Sequence, residues 1–254
     1  MQITLLGTGD AIGTPKVGCD CETCRIMAAA GISRLRTSLL IETGGRHILI
    51  ESSPDLRQQL LRADSPHIDA VIWSHGHYDH FIGFGEFYRV QKIPPAYAAP
   101  PVMDYCSRFF HFLSFDKHPV PAYEPFDLFG MTFTLFQVNH PPIYTCGLLI
   151  EHDDVTVAYT SDTRADIPEE SRDLLCSSDI DLLFVDGIAP EGYNIDKHMN
   201  YTEAVRFAHD AGARDYRCVH MSHLVPPGMP HAGYDMETFC LPGTASGSAG
   251  ARIP

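Results

Sequence analysis

Residues 74–83 read Ser74-His75-Gly76-His77-Tyr78-Asp79-His80-Phe81-Ile82-Gly83, setting three histidines and an aspartate into six residues. They stand directly behind the apolar run Ala70-Val71-Ile72-Trp73. A buried strand that stops at such a cluster holds imidazoles and a carboxylate on a rigid edge. These are ligand types that divalent zinc, manganese and iron accept, and close spacing lets one loop supply several. In an extended stretch His75, His77 and Asp79 share one side while His80 faces the other, so one loop could feed two adjacent metals. A His-rich surface loop is the bland alternative.

The rest of the chain bounds this reading. At 254 residues it suits one large α/β domain or two small ones, each able to bury a core. Nothing approaches the ~20 apolar residues that cross a bilayer. The start, Met1-Gln2-Ile3-Thr4-Leu5-Leu6, lacks a basic segment and runs into a strand, so no signal peptide is expected. Without that signal, the 8 cysteines do not read as a disulfide framework, and a cytoplasmic location is expected. A net charge of −14 disfavours nucleic acid, which needs basic surface to replace counterions. It does not exclude a small anionic substrate, because bound metals would dominate the local field.

Working outward, Gln2–Gly7 reads as a strand ending at Gly7-Thr8-Gly9-Asp10, a turn or a short phosphate cradle. Cys19, Cys21 and Cys24 form a C-x-C-x2-C cluster; they could hold a structural zinc if a fourth ligand arrives from elsewhere, or be three reduced thiols. Cys106, Cys146, Cys176, Cys218 and Cys240 are isolated and read as small core hydrophobes. Arg34 and Arg36 could meet a phosphate or simply be solvated. A hairpin over Gly44-Gly45 and a helix over 54–63, with Leu56, Leu60 and Leu61 on one side, lead to the 69–73 strand. Phe84, Phe87 and Tyr88 have helical packing spacing, and 93–125 is proline-rich with a helix near 101–112. Strands follow at 131–138, 147–151, 155–159, 181–185 and 216–219. A short helix is expected at 168–175 and an amphipathic one at 201–211, with Thr202 a candidate cap. From residue 241 the small, polar sequence is expected to be a flexible tail. Four of these apolar strands run into a candidate ligand: His75, His140, Asp162 and His220. Such residues, brought from distant segments to strand ends, can converge on one sheet edge.

The order H-x-H-x-D-H, then a His after a strand, then Ser-Asp-Thr, then a late His, resembles the metallo-β-lactamase superfamily over residues 2 to about 225. That resemblance implies an α/β (α+β) fold, a four-layer αβ/βα sandwich, here a single domain over 1–240 with a dinuclear site between two sheets. It implies that His75, His77 and His140 hold one divalent metal, zinc or manganese, that Asp79, His80 and His220 hold the other, and that Asp162 bridges them. More narrowly, Gly18–Cys24 paired with His220-Met221-Ser222-His223 is similar to the PhnP-type cyclic phosphodiesterases, which act on phosphoribosyl cyclic phosphates. There the resemblance implies a structural zinc on Cys19, Cys21, Cys24 and His223. It also marks His198, before the helix at 201, as a non-ligand catalytic residue beside Asp79, with a surface histidine as the alternative.

The implied function is hydrolysis of small phosphodiesters, cyclic ribose phosphates among them, by a hydroxide shared between the two metals. His198 would serve the departing oxygen. A thioester or lactone hydrolase of the glyoxalase II kind could use the same ligands, and a catalytically silent metal-binding protein is the reading from another class. Homodimers are common among such enzymes, but no stretch marks an interface.

Overall fold

A computed structural model of the chain describes residues 1–242, and shows two β-sheets packed face to face with helices on their outer sides. The strands are β1 (Gln2–Gly7), β2 (Ser38–Thr43), β3 (Arg46–Ile50), β4 (Ala70–Trp73), β5 (Ala96–Ala98), β6 (Lys117–Pro119), β7 (Phe126–Leu128), β8 (Met131–Val138), β9 (Thr145–His152), β10 (Val155–Tyr159), β11 (Leu182–Asp186), β12 (Asp215–Val219) and β13 (Thr238–Cys240). The α-helices are α1 (Glu22–Ala30), α2 (Leu56–Arg62), α3 (Tyr78–Phe81), α4 (Phe87–Val90), α5 (Pro100–Phe109), α6 (Glu169–Ser177) and α7 (Tyr201–Asp210), with a 3-10 turn over Ile82–Glu86. One sheet has the order β13-β1-β2-β3-β4-β5-β6 and the other β12-β11-β10-β9-β8-β7.

The two-residue period of the strands builds the layers. In the second sheet Phe133, Leu135, Leu148, Ile150, Val157, Tyr159 and Phe184 face the first sheet and share its core. The intervening Phe136, Leu149, Ala158, Leu183 and Val185 turn outward under Leu175 of α6 and Ala204, Phe207 and Ala208 of α7. Register keeps the faces aligned, since Val157 pairs with Leu182 and Tyr159 with Phe184 along the parallel β10–β11 ladder. A one-residue slip would exchange the two faces, so the pattern itself specifies the pairing. Trp73 is core, as expected: it is fully buried, edge-on to Phe84 at 4.9 Å, and its Nε1–H donates to Ser52 Oγ at 2.9 Å.

Direction positions the site. β10, β11 and β12 are parallel, and β8, two antiparallel steps from β10, runs the same way. Their C-terminal ends therefore share one edge, and parallel β3 and β4 of the first sheet end against it.

Several local expectations are corrected. Cys176 and Cys240 are exposed rather than core, whereas Cys106, Cys146 and Cys218 are buried. Leu61 is exposed, because only Leu56 and Leu60 of α2 face the core. Tyr88 is exposed too, leaving Phe84 and Phe87 to pack. Asn200, not Thr202, caps α7: its side chain accepts from Glu203 N at 3.1 Å while Glu203 Oε2 accepts from Asn200 N at 2.9 Å. Of the tail expected from residue 241, residues 243–254 lie outside the described residues.

The Gly7–Asp10 segment is a turn whose amides are already used. Thr8 N donates to Asp235 Oδ1 at 3.0 Å, Gly9 N to Leu35 O at 2.7 Å and Asp10 N to Met221 O at 3.1 Å. Gly7 is required by close approach, since a Cβ there would lie 2.7 Å from Leu35 O and collide with Arg36 O. Neither arginine awaits a phosphate. Arg36 pairs with Asp55 at 3.0 Å. Arg34 is buried and donates to the carbonyls of Ser222, Val225 and Pro226 at 3.3, 2.8 and 3.4 Å, tying down the segment that follows His220. Arg34→Ala strands these carbonyls and is expected to cost about 2–4 kcal/mol of stability, read as a lower urea midpoint at unchanged slope.

Candidate metal centre and its neighbours

The loop after β4 turns into the single helical turn α3, so His75 and His77 precede the turn while Asp79 and His80 lie within it. Gly76 keeps this loop tight: a Cβ there would meet the ring of Tyr105, with Cε1 at 2.8 Å. His140 follows β8, Asp162 follows β10 and His220 follows β12. All of these groups except His77 are buried. The structure brings together all seven residues named from the sequence, in two clusters that share Asp162.

In the first cluster His77 Nδ1 lies 3.0 Å from His75 Nε2 and 3.1 Å from His140 Nε2. Asp162 Oδ2 is 3.7 Å from His75 Nε2 and 3.9 Å from His140 Nε2. In the second, His80 Nε2 lies 3.2 Å from Asp79 Oδ2 and 3.4 Å from Asp162 Oδ1, and His220 Nδ1 lies 3.2 Å from the same Oδ1. The two oxygens of Asp162 thus face different clusters.

Both clusters suit cations. His80 Nε2, Asp162 Oδ1 and His220 Nδ1 are buried without a hydrogen-bond partner, a costly arrangement that a metal ion would resolve. Burial pulls His220 down to about 3 and His140 to about 4 despite the Asp162 carboxylate, leaving neutral imidazoles, the form that ligates. Burial disfavours the Asp162 charge, but its histidine neighbours, among them His80, which against burial Asp162, Asp79 and Glu51 hold well above the ordinary imidazole range, outweigh it and keep the carboxyl well below its ordinary range. The nitrogens remote from the clusters are engaged as well. Ser74 Oγ lies 2.8 Å from His75 Nδ1, and Lys197 O accepts from His140 Nδ1 at 3.0 Å, which turns His140 Nε2 toward the cluster. Ser161 Oγ donates to Ser74 Oγ at 2.7 Å, linking the loops of the two sheets.

The backbone is strained here. Glu51, Ser161 and His220, all at strand ends on this edge, have φ of 62°, 56° and 56°. Each such non-glycine residue costs about 1–3 kcal/mol, and strain of this kind gathers at functional sites.

His198 lies beside both clusters, its ring centroid 4.8 Å from that of His140 and 5.1 Å from that of His220, and with its side chain 12% exposed it is not a surface histidine. Its Nδ1 is 2.7 Å from Asp186 Oδ2. Burial lowers its pKa, but Asp186 overcomes this and raises it to about 9, favouring an imidazolium at neutral pH. Asp186 escaped the sequence reading, although a carboxylate closing the apolar strand Leu182–Asp186 was the available signal. It also accepts from Thr163 N at 2.8 Å, which ties His198 to the Asp162 loop.

A separate cluster joins the first loop to the last. Cys19 and Cys21 Sγ lie 3.5 and 3.4 Å from His223 Nδ1, and Cys24, in the first turn of α1, completes a set whose ligand atoms lie within 4.8 Å of one another. The His223 contact, helped by the Cys24 amide, brings Cys21 down to about 6, toward the thiolate that zinc binds.

A model of the β-lactamase superfamily domain matches residues 46–221. The chain belongs to the metallo-β-lactamase superfamily. This superfamily member is 30% identical to the octanoyltransferase of Porphyromonas gingivalis over 258 residues, covering 92% of the chain but 50% of that protein. Among solved structures it resembles a diphosphatase from the PhnP family, with a TM-score of 0.84 and 27% identity over 95% of this chain and 98% of that one. It shares the fold of zinc-bound PqqB from Methylobacterium extorquens, with a TM-score of 0.81 and 22% identity over 95% and 100% of the two chains. Membership together with the clustered ligands supports a metal-dependent hydrolase. Among the described residues no helix is long and apolar enough to cross a membrane.

Proposed function

We propose that the protein is a metal-dependent phosphodiesterase for small phosphodiesters, cyclic ribose phosphates among them. The observation that carries this reading is Asp162, whose two oxygens serve two ligand clusters with the Asp186–His198 pair alongside. His75, His77, His140 and Asp162 would hold one divalent ion, and Asp79, His80, His220 and Asp162 the other. Such a pair lowers the pKa of a shared water and offsets negative charge on phosphoryl oxygens. The chain supplies the remainder. Asp186 occupies Nδ1 of His198, so Nε2–H is the donor left to meet the departing oxygen. Asp79 acts as a ligand that fixes the His80 side of the cluster. The likeness to the PhnP-family diphosphatase supports phosphorus over carbonyl chemistry. Turnover of bis-p-nitrophenyl phosphate and ribose cyclic phosphates by zinc- or manganese-loaded protein tests the proposal. Hydrolysis of neither would overturn it.

The octanoyltransferase relative favours one second reading, a hydrolase of acyl thioesters or lactones with the same ligands. Since the chain spans half of that relative, the name describes a larger protein. An octanoyl thioester and a lactone in the same assay separate the readings: activity on them without activity on phosphodiesters selects the second.

Cys19, Cys21, Cys24 and His223 are proposed to hold a structural zinc. Cys21→Ser is expected to lower zinc content by about one equivalent per chain and to reduce Tm, because binding energy at such a site is folding energy. Unchanged zinc content would reject the assignment.

A further inference from the structure

His198, beside both ligand clusters, also forms part of the wall of a cavity of about 780 Å³. Pro141 and Pro142, which follow His140, and Arg164, which follows the Asp162 loop, line the same space. An ester whose departing oxygen meets His198 therefore extends into this cavity.

The wall carries charge of both signs, and most of it is paired. Arg164 holds Asp166 through two contacts, Nε to Oδ1 at 2.9 Å and Nη2 to Oδ2 at 3.0 Å. Glu203 is engaged in the capping box of α7, and His198 is paired with Asp186. Among the described residues, Lys197 and the preceding Asp196 line the cavity without an ion pair. The two differ in what they face. Burial lowers the His77 pKa, and Lys197 is among the cations close enough to add to that effect.

Lys197 is placed by its backbone. Its carbonyl accepts from His140 Nδ1 at 3.0 Å. On either side of that contact, His198 N donates to Ile195 O at 3.2 Å, and Ile188 N, just past β11, donates to Met199 O at 3.0 Å. The side chain itself is exposed, so a flexible stem is rooted beside the first cluster with its ammonium in solvent.

We propose that Lys197 is a substrate-contacting residue whose ammonium meets a phosphoryl oxygen of the ester and gives the site its preference for anionic over neutral esters. The proposal rests on the phosphodiesterase reading above and adds to it the side chain that recognises the substrate's charge. An ammonium offers three donors to a phosphoryl oxygen, and hydrogen bonds between ionised groups are the strong ones. In a chain of net charge −14, an unpaired cation at the cavity wall favours a phosphodiester anion locally and does nothing for a neutral thioester or lactone.

The test uses the zinc-loaded whole chain as wild type, Lys197→Met and Lys197→Arg. Two readouts are taken: steady-state kinetics on bis-p-nitrophenyl phosphate, and the Kd of inorganic phosphate by calorimetry. Lys197→Met keeps the stem and removes the charge. It is expected to raise both KM and the phosphate Kd about 10-fold, the size of one hydrogen bond to a charged group. Its kcat should stay within about threefold of wild type, as for lost ground-state binding. Lys197→Arg is expected to recover most of the loss, and rising ionic strength to narrow the gap between wild type and Lys197→Met, because exposed charge is screened. Metal content should not change, since the contact to His140 is made by the backbone carbonyl. Wild-type KM and phosphate Kd in Lys197→Met, an equal loss in Lys197→Arg, or a loss confined to kcat overturns the proposal alone. Phosphate binding that depends on Lys197 in a protein that hydrolyses no phosphodiester overturns the functional reading and leaves the anion contact standing. A wild type that neither hydrolyses the diester nor binds phosphate overturns both.

Discussion

His198→Ala is expected to retain the wild-type metal content while losing about 10²–10⁴-fold in turnover of a phosphodiester with an alkoxide leaving group. The size follows from the proton it holds. The Asp186 carboxylate 2.7 Å from Nδ1 outweighs burial and keeps the ring charged, with Nε2–H free to donate. The ring sits beside His140 and His220 without joining either ligand set, so deleting it leaves all seven candidate ligands in place. A p-nitrophenolate leaving group needs little protonation, so the same variant should lose much less on bis-p-nitrophenyl phosphate. That difference identifies a proton donor rather than a residue that merely shapes the site. Asp186→Asn is expected to fall between wild type and His198→Ala, because the neutral amide no longer favours the imidazolium. Equal losses on both substrates, or wild-type turnover on both, would reject the role.

Asp162→Ala is expected to have the larger effect, abolishing measurable turnover and releasing both cluster metals. One oxygen faces His75 and His140 and the other faces His80 and His220, and among the described residues no other side chain belongs to both clusters. Its removal also leaves imidazoles crowded together, with His75 Nε2 and His77 Nδ1 3.0 Å apart and the carboxylate between the clusters gone. Stability should follow. A ligand at about 100 times its Kd stabilises the folded state by about 2.7 kcal/mol, so chelation is expected to lower the wild-type Tm while changing that of Asp162→Ala much less. Zinc on the cysteine cluster should survive the substitution, because that cluster shares no ligand with the other two. Metal analysis at a 1:1:1 ratio of folded wild type, Asp162→Ala and Cys21→Ser would separate the two kinds of centre.

The sequence disclosed more of this centre than of the structure around it, for physical reasons. Ligands announce themselves because imidazoles and carboxylates immediately after apolar strands are hard to explain otherwise, and His75, His140, Asp162 and His220 all carry that signature. The strands were equally legible where they are long and buried, as in Met131–Val138. Glu51 and Asp186 carry the same signature but were passed over, since each stands alone in sequence and its partner comes from another segment. Arg34 reads from sequence as either a phosphate contact or a solvated side chain; nothing local reveals that the 222–226 carbonyls fold over it. The edge strand Thr238–Cys240 gave no signal at all, being three residues long and held by register with Gln2–Thr4 rather than by its own pattern. Asn200 displaced Thr202 as the helix cap because the capping box with Glu203 satisfies two backbone donors where a lone threonine would satisfy one.

Anomalous diffraction from crystals of the zinc- or manganese-loaded protein tests the central claim most directly. The account predicts two strong peaks on opposite sides of Asp162, one among His75, His77 and His140 and the other among Asp79, His80 and His220. A single peak, or none in contact with Asp162, would contradict it.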